Sequence, residues 1–200
     1  MAEQKRAARK ELLGALNALT PSAVQSASAA IVARLESLLT PAAGEVVALF
    51  AARPLEVDLS GLERFLQDRG AEAAYPVIDG DALVFRRAWS DALRPAHFGI
   101  AEPTAAAPLA QTFHAIITPG LGFGPSGARL GYGRGYYDRA IRAARSGPRR
   151  PWVVGVAFEL QWREAVPMGA SDEALDALVT ERAFRSFDDR GSFQNPSRSA

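Results

Sequence analysis

Seven of the seventeen glycines in this 200-residue chain fall between positions 120 and 135. Glycine loses more backbone entropy on folding than other residues and adds no side chain to a core, so a dense run marks backbone that turns sharply or approaches a ligand closely. An apolar run at 115–117 precedes the glycines and is typical of a buried strand, whereas 136–145 follows with helical spacing. Strand, glycine-rich loop and helix in this order direct backbone N–H groups and a helix dipole to one point, which predicts a phosphate site.

The glycine-rich segment does not fit the common phosphate-binding motifs. The chain contains no G-x-x-x-x-G-K-[ST], which excludes a Walker-type loop. Gly122, Gly124 and Gly127 form a G-x-G-x-x-G, but Ala-Arg-Leu-Gly follows them where a dinucleotide-binding motif needs a helix. The dinucleotide interpretation is therefore disfavoured.

The whole run at 119–139, PGLGFGPSGARLGYGRGYYDR, resembles the signature of the 5-formyltetrahydrofolate cyclo-ligase family, also called 5,10-methenyltetrahydrofolate synthetase. That signature reads P-G-[LV]-[AG]-F-D-x-x-G-x-R-[LI]-G-x-G-x-G-Y-Y-D-R. Three positions of the chain depart from the family's pattern. Gly124 replaces the usual aspartate, His114 stands where an aspartate is usual, and Ser171 stands where histidine is common.

The resemblance extends in order over most of residues 5 to 182. Lys5 and Arg9 match the basic opening of the family, and Glu56 and Asp58 match its E-x-D. Near the C-terminus, VPMGASDEALDALVTE resembles V-P-x-x-x-H-D-x-x-L-D-x-[IV]-[IV]-T-E and retains Asp172. Ordered matches over this length are more specific than any short motif.

The basic residues near the N-terminus carry a separate signal. The chain has twenty-one arginines but only two lysines, Lys5 and Lys10. An ammonium group on a flexible stem is a mobile point charge, whereas guanidinium is a rigid fork. Lys5 and Arg9 stand four residues apart on one helix face and could hold one polyphosphate together. The alternative is a solvated basic helix.

Composition sets the broad class of the protein. The net charge of +1 gives no reason to expect nucleic acid binding, and no run approaches about eighteen apolar residues, so we expect no membrane span. The charged, polar N-terminus lacks a hydrophobic signal core, and we expect a cytoplasmic monomer. The absence of cysteine excludes disulfides, thiolate metal sites and a cysteine nucleophile. Two isolated histidines argue against zinc or a serine–histidine triad.

Hydrophobic patterning predicts an α/β fold: a single three-layer domain with a mixed, largely parallel sheet, helices on both faces and an N-terminal helical segment. The domain is expected to cover residues 1–188, with a polar, flexible tail at 189–200. Residues 88–112 should be mostly irregular. We expect helices at 3–19, 22–39, 59–69, 135–145 and 172–177, and strands at 45–51, 73–78, 82–87, 115–117, 152–158 and 177–181.

The resemblance implies a reaction and its co-substrates. Family members use ATP and Mg²⁺ to convert 5-formyltetrahydrofolate to 5,10-methenyltetrahydrofolate, through phosphorylation of the formyl oxygen and ring closure by N10. Such phosphoryl transfer needs positioning and charge neutralisation more than a protein nucleophile. Two alternatives stay open: a non-catalytic paralogue that binds folate or nucleotide, and a related ATP-dependent enzyme acting on another small molecule, as in thiamin metabolism.

The resemblance also implies a role for individual residues of this chain. Arg129 and Asp138 are the expected catalytic residues, and Asp138 and Asp172 the expected Mg²⁺ ligands. The folate substrate is expected to contact Glu56, Phe50 and Tyr137. The expected ATP-binding residues are Lys5, Arg9, Arg129, Gly131, Gly133, Arg134, Gly135, Tyr136 and Asp138.

Overall fold

The structure is a computed structural model that describes residues 2–96 and 99–188. The tail at 189–200, predicted to be flexible, lies outside the described residues. The described helices are α1 (Ala2–Asn17), α2 (Pro21–Leu38), α3 (Ser60–Asp68) and α4 (Tyr136–Arg145). The described strands are β1 (Val46–Ala48), β2 (Glu72–Asp79), β3 (Ala82–Arg87), β4 (Arg94–Pro95), β5 (Ala101–Glu102), β6 (Leu109–Ala110), β7 (Ala115–Thr118), β8 (Gly122–Gly124), β9 (Ala128–Leu130), β10 (Trp152–Val156), β11 (Ala177–Val179) and β12 (Phe184–Ser186).

Local sequence explains where two of the helices begin. Thr20 has extended backbone angles, and its hydroxyl accepts a hydrogen bond from the Ala23 N–H at 3.2 Å, while Pro21 occupies the first turn of α2. The start of α4 is different, because Gly135 precedes it with a φ of +65° and no side chain caps its first turn. The first N–H groups of α4 therefore remain available to an outside acceptor.

Eight strands form one sheet in the order β12-β11-β10-β7-β1-β2-β3-β6. The central strands β11, β10, β7, β1 and β2 pair in parallel, whereas β12, β3 and β6 join by antiparallel pairing. Two small antiparallel ribbons, β4-β5 and β8-β9, lie outside this sheet. The predicted mixed, largely parallel sheet is confirmed.

Alternation along the strands builds three layers. Val47 packs in a core with Leu12 of α1 and Leu35 of α2, whereas its neighbour Val46 belongs to a cluster on the opposite face. The α4 side chain of Ile141 packs in a third cluster with buried strand residues of that opposite face. Because successive strand residues face opposite sides, α1, α2 and α3 cover one face of the sheet and α4 covers the other. The predicted three-layer architecture with an N-terminal helical segment is confirmed.

Most predicted elements are present, but the helix expected at 172–177 is wrong. That segment has no helical turn, and its polar groups bond to distant parts of the chain. The Leu175 N–H donates to the Gly127 carbonyl at 2.9 Å, and the Asp176 carboxylate accepts from the Val153 N–H at 2.8 Å. These tertiary hydrogen bonds replace the local ones that a helix would need.

The described helices include none with the length and apolar character needed to cross a bilayer. The carboxyl ends of β1 and β7 meet at one edge of the sheet, where Phe50 and Pro119 follow them. This edge is where ligands bind in open parallel sheets, and it positions the cavity described next.

Candidate functional site

A cavity of about 590 Å³ opens at the carboxyl edge of the parallel strands. Phe50 follows β1, Pro119 follows β7, and Ile78 lies near the end of β2. Helix α1 contributes Lys5 to the opposite wall, and the first turn of α4 contributes Asp138. Segments far apart in the sequence therefore converge on one concave site.

Every residue that the sequence predicted for the site lines this cavity. The set combines the basic residues of α1, the segment after β1, strand β9, the glycine loop at 131–135, the first turn of α4 and the segment before β11. Its members are Lys5, Arg9, Phe50, Glu56, Arg129, Gly131, Gly133, Arg134, Gly135, Tyr136, Tyr137, Asp138 and Asp172.

The glycine loop that precedes α4 adopts backbone angles that favour glycine. Gly133 has a φ of +103°, and a Cβ built there would lie 3.3 Å from the Arg9 guanidinium carbon. Gly135 has a φ of +65° at the start of α4. Arg9 also donates from Nε to the Gly131 carbonyl at 2.9 Å, so α1 holds the loop directly. A side chain at either glycine would be strained, and one at Gly133 would also crowd Arg9.

Arg129 and Asp138 form an ion pair at the floor of the cavity. Arg129 Nη2 donates to Asp138 Oδ1 at 2.9 Å, and the Arg129 side chain is only 4% exposed. The Glu173 N–H donates to the same Oδ1 at 3.1 Å. Asp138 thus links α4 to strand β9 and to the segment around Asp172.

Lys5 and Asp172 form a second pair across the mouth of the cavity. Lys5 Nζ donates to Asp172 Oδ2 at 2.5 Å, and the Gly169 N–H donates to the same oxygen at 2.7 Å. Burial alone would raise the pKa of Asp172, but the hydrogen bonds from Lys5 and Gly169 outweigh it and lower that pKa below its usual range. Asp172 is therefore held as a carboxylate next to a cation.

The two aspartates fit a magnesium site only if a phosphate ligand completes it. Within residues 2–96 and 99–188, no group of three or more metal-binding side chains is assembled. Mg²⁺ commonly binds through one or two carboxylates together with waters and substrate phosphates. Asp138 and Asp172 line the same cavity and each receives its contacts on one oxygen, which leaves a second oxygen for such a metal.

Glu56 lies at the other end of the cavity and is nearly buried, with 9% of its surface exposed. Its Oε1 accepts from the Tyr132 hydroxyl at 3.0 Å and from Arg53 Nε at 3.3 Å, and its Oε2 accepts from the Arg53 N–H at 2.9 Å. The turn at 53–56 is closed by a hydrogen bond from the Glu56 N–H to the Arg53 carbonyl, with Leu55 at a φ of +74°. This geometry fixes the carboxylate within the cavity.

Sequence reasoning missed Arg53 and Tyr132 as members of the site. Tyr132 occupies a variable position between two signature glycines, so the motif gave no signal for it. The Arg53 guanidinium lies 3.8 Å from the centroid of the Tyr132 ring. Glu102, which was not predicted as a site residue, is also buried and lines the cavity. These contacts depend on tertiary folding and not on local pattern.

The three departures from the family's pattern lie in different places. Among the residues that line the cavity, Ser171 is present, whereas Gly124 and His114 are not. His114 Nδ1 lies 2.9 Å from Glu45 Oε2 in a buried site. A Cβ at Gly124 would meet Val166 Cγ2 at 3.0 Å, so the space of an aspartate side chain is filled by that valine.

Comparison with known proteins gives a consistent similarity. A sequence model described as the 5-formyltetrahydrofolate cyclo-ligase family matches residues 1–181. The chain is 29% identical over 171 residues to the 5-formyltetrahydrofolate cyclo-ligase of Escherichia coli K12, covering 82% of this chain and 92% of that protein. The solved structure of Aquifex aeolicus 5,10-methenyltetrahydrofolate synthetase superposes with a TM-score of 0.75 at 26% identity, covering 98% of this chain and 99% of that one.

Other relatives align over a shorter stretch. The Arabidopsis thaliana protein named 5-formyltetrahydrofolate cyclo-ligase, mitochondrial, is 41% identical over 72 residues, which is 32% of this chain. The alignment spans 26% of the Arabidopsis protein and 33% of the Mus musculus relative. The chain therefore matches about a quarter to a third of the length of these curated relatives.

Proposed function

The chain belongs to the 5-formyltetrahydrofolate cyclo-ligase family, and from this we propose that it converts 5-formyltetrahydrofolate to 5,10-methenyltetrahydrofolate with consumption of ATP and release of ADP and phosphate. One observation carries the proposal: the cavity brings the basic and glycine-rich residues expected for a polyphosphate together with the Glu56 carboxylate expected for the folate ring. A site that bound only a polyphosphate would not need the Glu56 carboxylate at its other end.

The chemistry begins with an unreactive amide. The oxygen of the formyl group on N5 attacks the γ-phosphorus of ATP. The bond between that phosphorus and the bridging oxygen breaks, and ADP leaves with the oxygen. N10 then forms a bond to the activated formyl carbon, loses its proton to solvent or phosphate, and the carbon–oxygen bond breaks to release inorganic phosphate. The formyl oxygen leaves with that phosphate, so each cyclisation consumes one ATP.

Charge neutralisation is the main task of the protein in such a transfer. Lys5 and Arg9 reach the cavity from α1, and Arg129 reaches it from β9. The uncapped N–H groups at the start of α4 and the glycine loop supply further donors for phosphate oxygens. Donors held in place before the reaction stabilise spreading negative charge without reorganising.

Asp138 and Asp172 would hold Mg²⁺ together with the phosphates of the nucleotide. The metal would supply additional neutralisation of the transferring phosphoryl group. Because the contacts of each aspartate fall on one oxygen, the metal would bind the other, while Lys5 and Arg129, which line the same cavity, would neutralise phosphate oxygens.

Glu56 would accept hydrogen bonds from the N–H donors on the pterin edge, and Phe50 and Tyr137 would contact the ring. Glu56 is buried and faces the cavity, which strengthens hydrogen bonds by excluding water.

We also expect the protein to act as a cytoplasmic monomer without nucleic acid. Cell fractionation would test the localisation, and sedimentation would test the oligomeric state.

The function is tested by mixing purified protein with 5-formyltetrahydrofolate and following the near-ultraviolet absorbance of 5,10-methenyltetrahydrofolate. Product should form with Mg²⁺ and ATP together and not when either is omitted. Folate binding without product would favour the non-catalytic paralogue. ATP turnover with another small molecule, and none with 5-formyltetrahydrofolate, would favour the related enzyme.

A further inference from the structure

Tyr132 extends from the glycine loop on the phosphate side of the cavity to Glu56 on the folate side. We propose that Tyr132 is a positioning residue whose hydroxyl occupies Glu56 in the ligand-free protein, and that folate and nucleotide each release it, so that the two ligands bind with positive cooperativity. This inference rests on the proposed function, because it takes Glu56 as the folate contact and the glycine loop as the phosphate contact.

The hydrogen bonds that Glu56 already accepts explain why the Tyr132 hydroxyl must leave it before the folate binds. A carboxylate has about four acceptor positions, two on each oxygen. Tyr132 and Arg53 Nε already donate to Oε1, at 3.0 Å and 3.3 Å, and the Arg53 N–H donates to Oε2. A ligand edge with two adjacent N–H donors needs one position on each oxygen. Oε2 has such a position, but Oε1 gains one only if a present donor withdraws.

Of the two donors to Oε1, Tyr132 is the one that can move. Arg53 belongs to the closed turn that ends at Glu56, and its own N–H is bonded to the same carboxylate. Tyr132 stands between Gly131 and Gly133, and 45% of its surface is exposed. Its ring is therefore already partly in solvent, and turning further gives up mainly its contact with the Arg53 guanidinium. Burial raises the pKa of the Tyr132 hydroxyl to about 12, with the Glu56 charge adding to this, so the group remains a proton donor at neutral pH.

The nucleotide acts on the same contact from the other end. Arg9 Nε donates to the Gly131 carbonyl at 2.9 Å, and the Arg9 guanidinium lies against Gly133. Arg9, which we assign to phosphate, thus bonds one backbone neighbour of Tyr132 and lies close to the other. When Arg9 turns to a polyphosphate, the loop loses that restraint and Tyr132 can withdraw from Glu56. Whichever ligand binds first therefore removes a cost for the second, and such coupling is reciprocal.

Calorimetric titration of the full chain tests this link. The probes are 5-formyltetrahydrofolate and a non-hydrolysable ATP analogue with Mg²⁺, each titrated alone and in the presence of the other. For the wild-type protein, the analogue should tighten folate binding by roughly fivefold or more. In Tyr132→Phe, which keeps the ring and removes the hydroxyl, each probe alone should bind several-fold more tightly, and the coupling factor should approach one.

Tyr75→Phe is the matched control. The Tyr75 hydroxyl donates to Glu63 Oε1 at 2.6 Å, a tyrosine–glutamate bond between residues that do not line the cavity. This variant should keep the wild-type folate affinity and coupling factor. An equal change in Tyr75→Phe and Tyr132→Phe would overturn the assignment to Tyr132.

The remaining outcomes distinguish a failure of the coupling through Tyr132 from a failure of the proposed function. If wild-type protein binds both probes and Tyr132→Phe binds either one no more tightly, or keeps the wild-type coupling, the link is wrong and the function stands. If wild-type protein does not bind 5-formyltetrahydrofolate, the proposed function fails. The link, which takes Glu56 as the folate contact, then fails with it.

Discussion

At the scale of single residues, the charged groups of the cavity are already paired in the ligand-free chain. Lys5 contacts Asp172, Arg129 contacts Asp138, and Arg53 contacts Glu56. A buried charge without a partner is costly, so these pairs keep the site stable before ligands arrive. We therefore expect substitutions in the site to affect stability as well as activity.

Asp138→Asn separates these two effects. The amide keeps an oxygen near Arg129 Nη2 and the Glu173 N–H but removes the charge. We expect the free energy of unfolding to fall by about 1–2 kcal/mol and kcat to fall by roughly a hundredfold or more, with folate affinity little changed. Steady-state kinetics measure kcat, and urea unfolding measures the free energy of unfolding.

The control for Asp138→Asn is Asp68→Asn. Asp68 pairs with Arg64 at 3.2 Å on the exposed surface of α3, outside the cavity. It should leave kcat unchanged. Near-normal turnover of Asp138→Asn at saturating Mg²⁺ would contradict the assignment of Asp138 to metal and phosphate.

Gly124 tests whether the missing family aspartate matters for the reaction. Because a Cβ at this position would lie 3.0 Å from Val166 Cγ2 and 3.1 Å from the Arg163 carbonyl, any side chain should be destabilising. Gly124→Ala isolates that steric effect from the carboxylate. We expect kcat of Gly124→Asp to lie within about tenfold of that of Gly124→Ala, or about 1.4 kcal/mol in barrier. A gain of several hundredfold would mean that the natural chain lacks a catalytic group.

At the scale of elements, helix α1 both stabilises the fold and completes the site. Its buried Leu12 and Leu16 pack in the main core, while Lys5 and Arg9 face the cavity. The four-residue spacing of Lys5 and Arg9 predicted a shared face, and both residues do line the cavity. The sequence could not show that each would contact another segment, Asp172 or the Gly131 carbonyl, because those contacts join positions more than a hundred residues apart.

Lys5→Ala should weaken ATP more than folate. The variant removes a cation that lies 2.5 Å from Asp172 at the phosphate end, and we expect the KM for ATP to rise roughly tenfold and that for folate to change less than about twofold. Arg6→Ala is the matched control, since Arg6 is the next residue on the same helix and its side chain is 81% exposed. Equal effects of the two substitutions on ATP would show that Lys5 acts only through the general charge of α1.

Sequence patterns predicted the central elements well for a physical reason. Apolar runs such as 115–117 and 152–158 favour buried strands, and the glycine loop between strand and helix can adopt the positive φ angles that Gly133 and Gly135 show. The segment at 172–177 was mispredicted because its hydrogen bonds go to Gly127 and Val153 and not to its own turn. Tyr132 was missed for a related reason: its role comes from its distance to Glu56 and not from its place in the motif.

At the scale of the whole molecule, a mixed sheet between two helical layers brings the glycine loop and Glu56 to one edge. The carboxyl ends of parallel strands define that edge, and α1 and α4 approach it from opposite faces of the sheet. Positions 5 and 172, which are remote in sequence, thereby meet at 2.5 Å. We propose that this arrangement transfers the γ-phosphoryl group of ATP to the formyl oxygen of the folate.

Transfer of ¹⁸O from the formyl group to phosphate tests this phosphoryl transfer. The substrate is 5-formyltetrahydrofolate labelled with ¹⁸O in the formyl group, incubated with the protein, Mg²⁺ and unlabelled ATP, and the released phosphate is analysed by mass spectrometry. If the formyl oxygen is phosphorylated, each phosphate released with 5,10-methenyltetrahydrofolate carries one ¹⁸O atom. Phosphate without the label, or product formed without any phosphate, would show that the formyl oxygen is not phosphorylated.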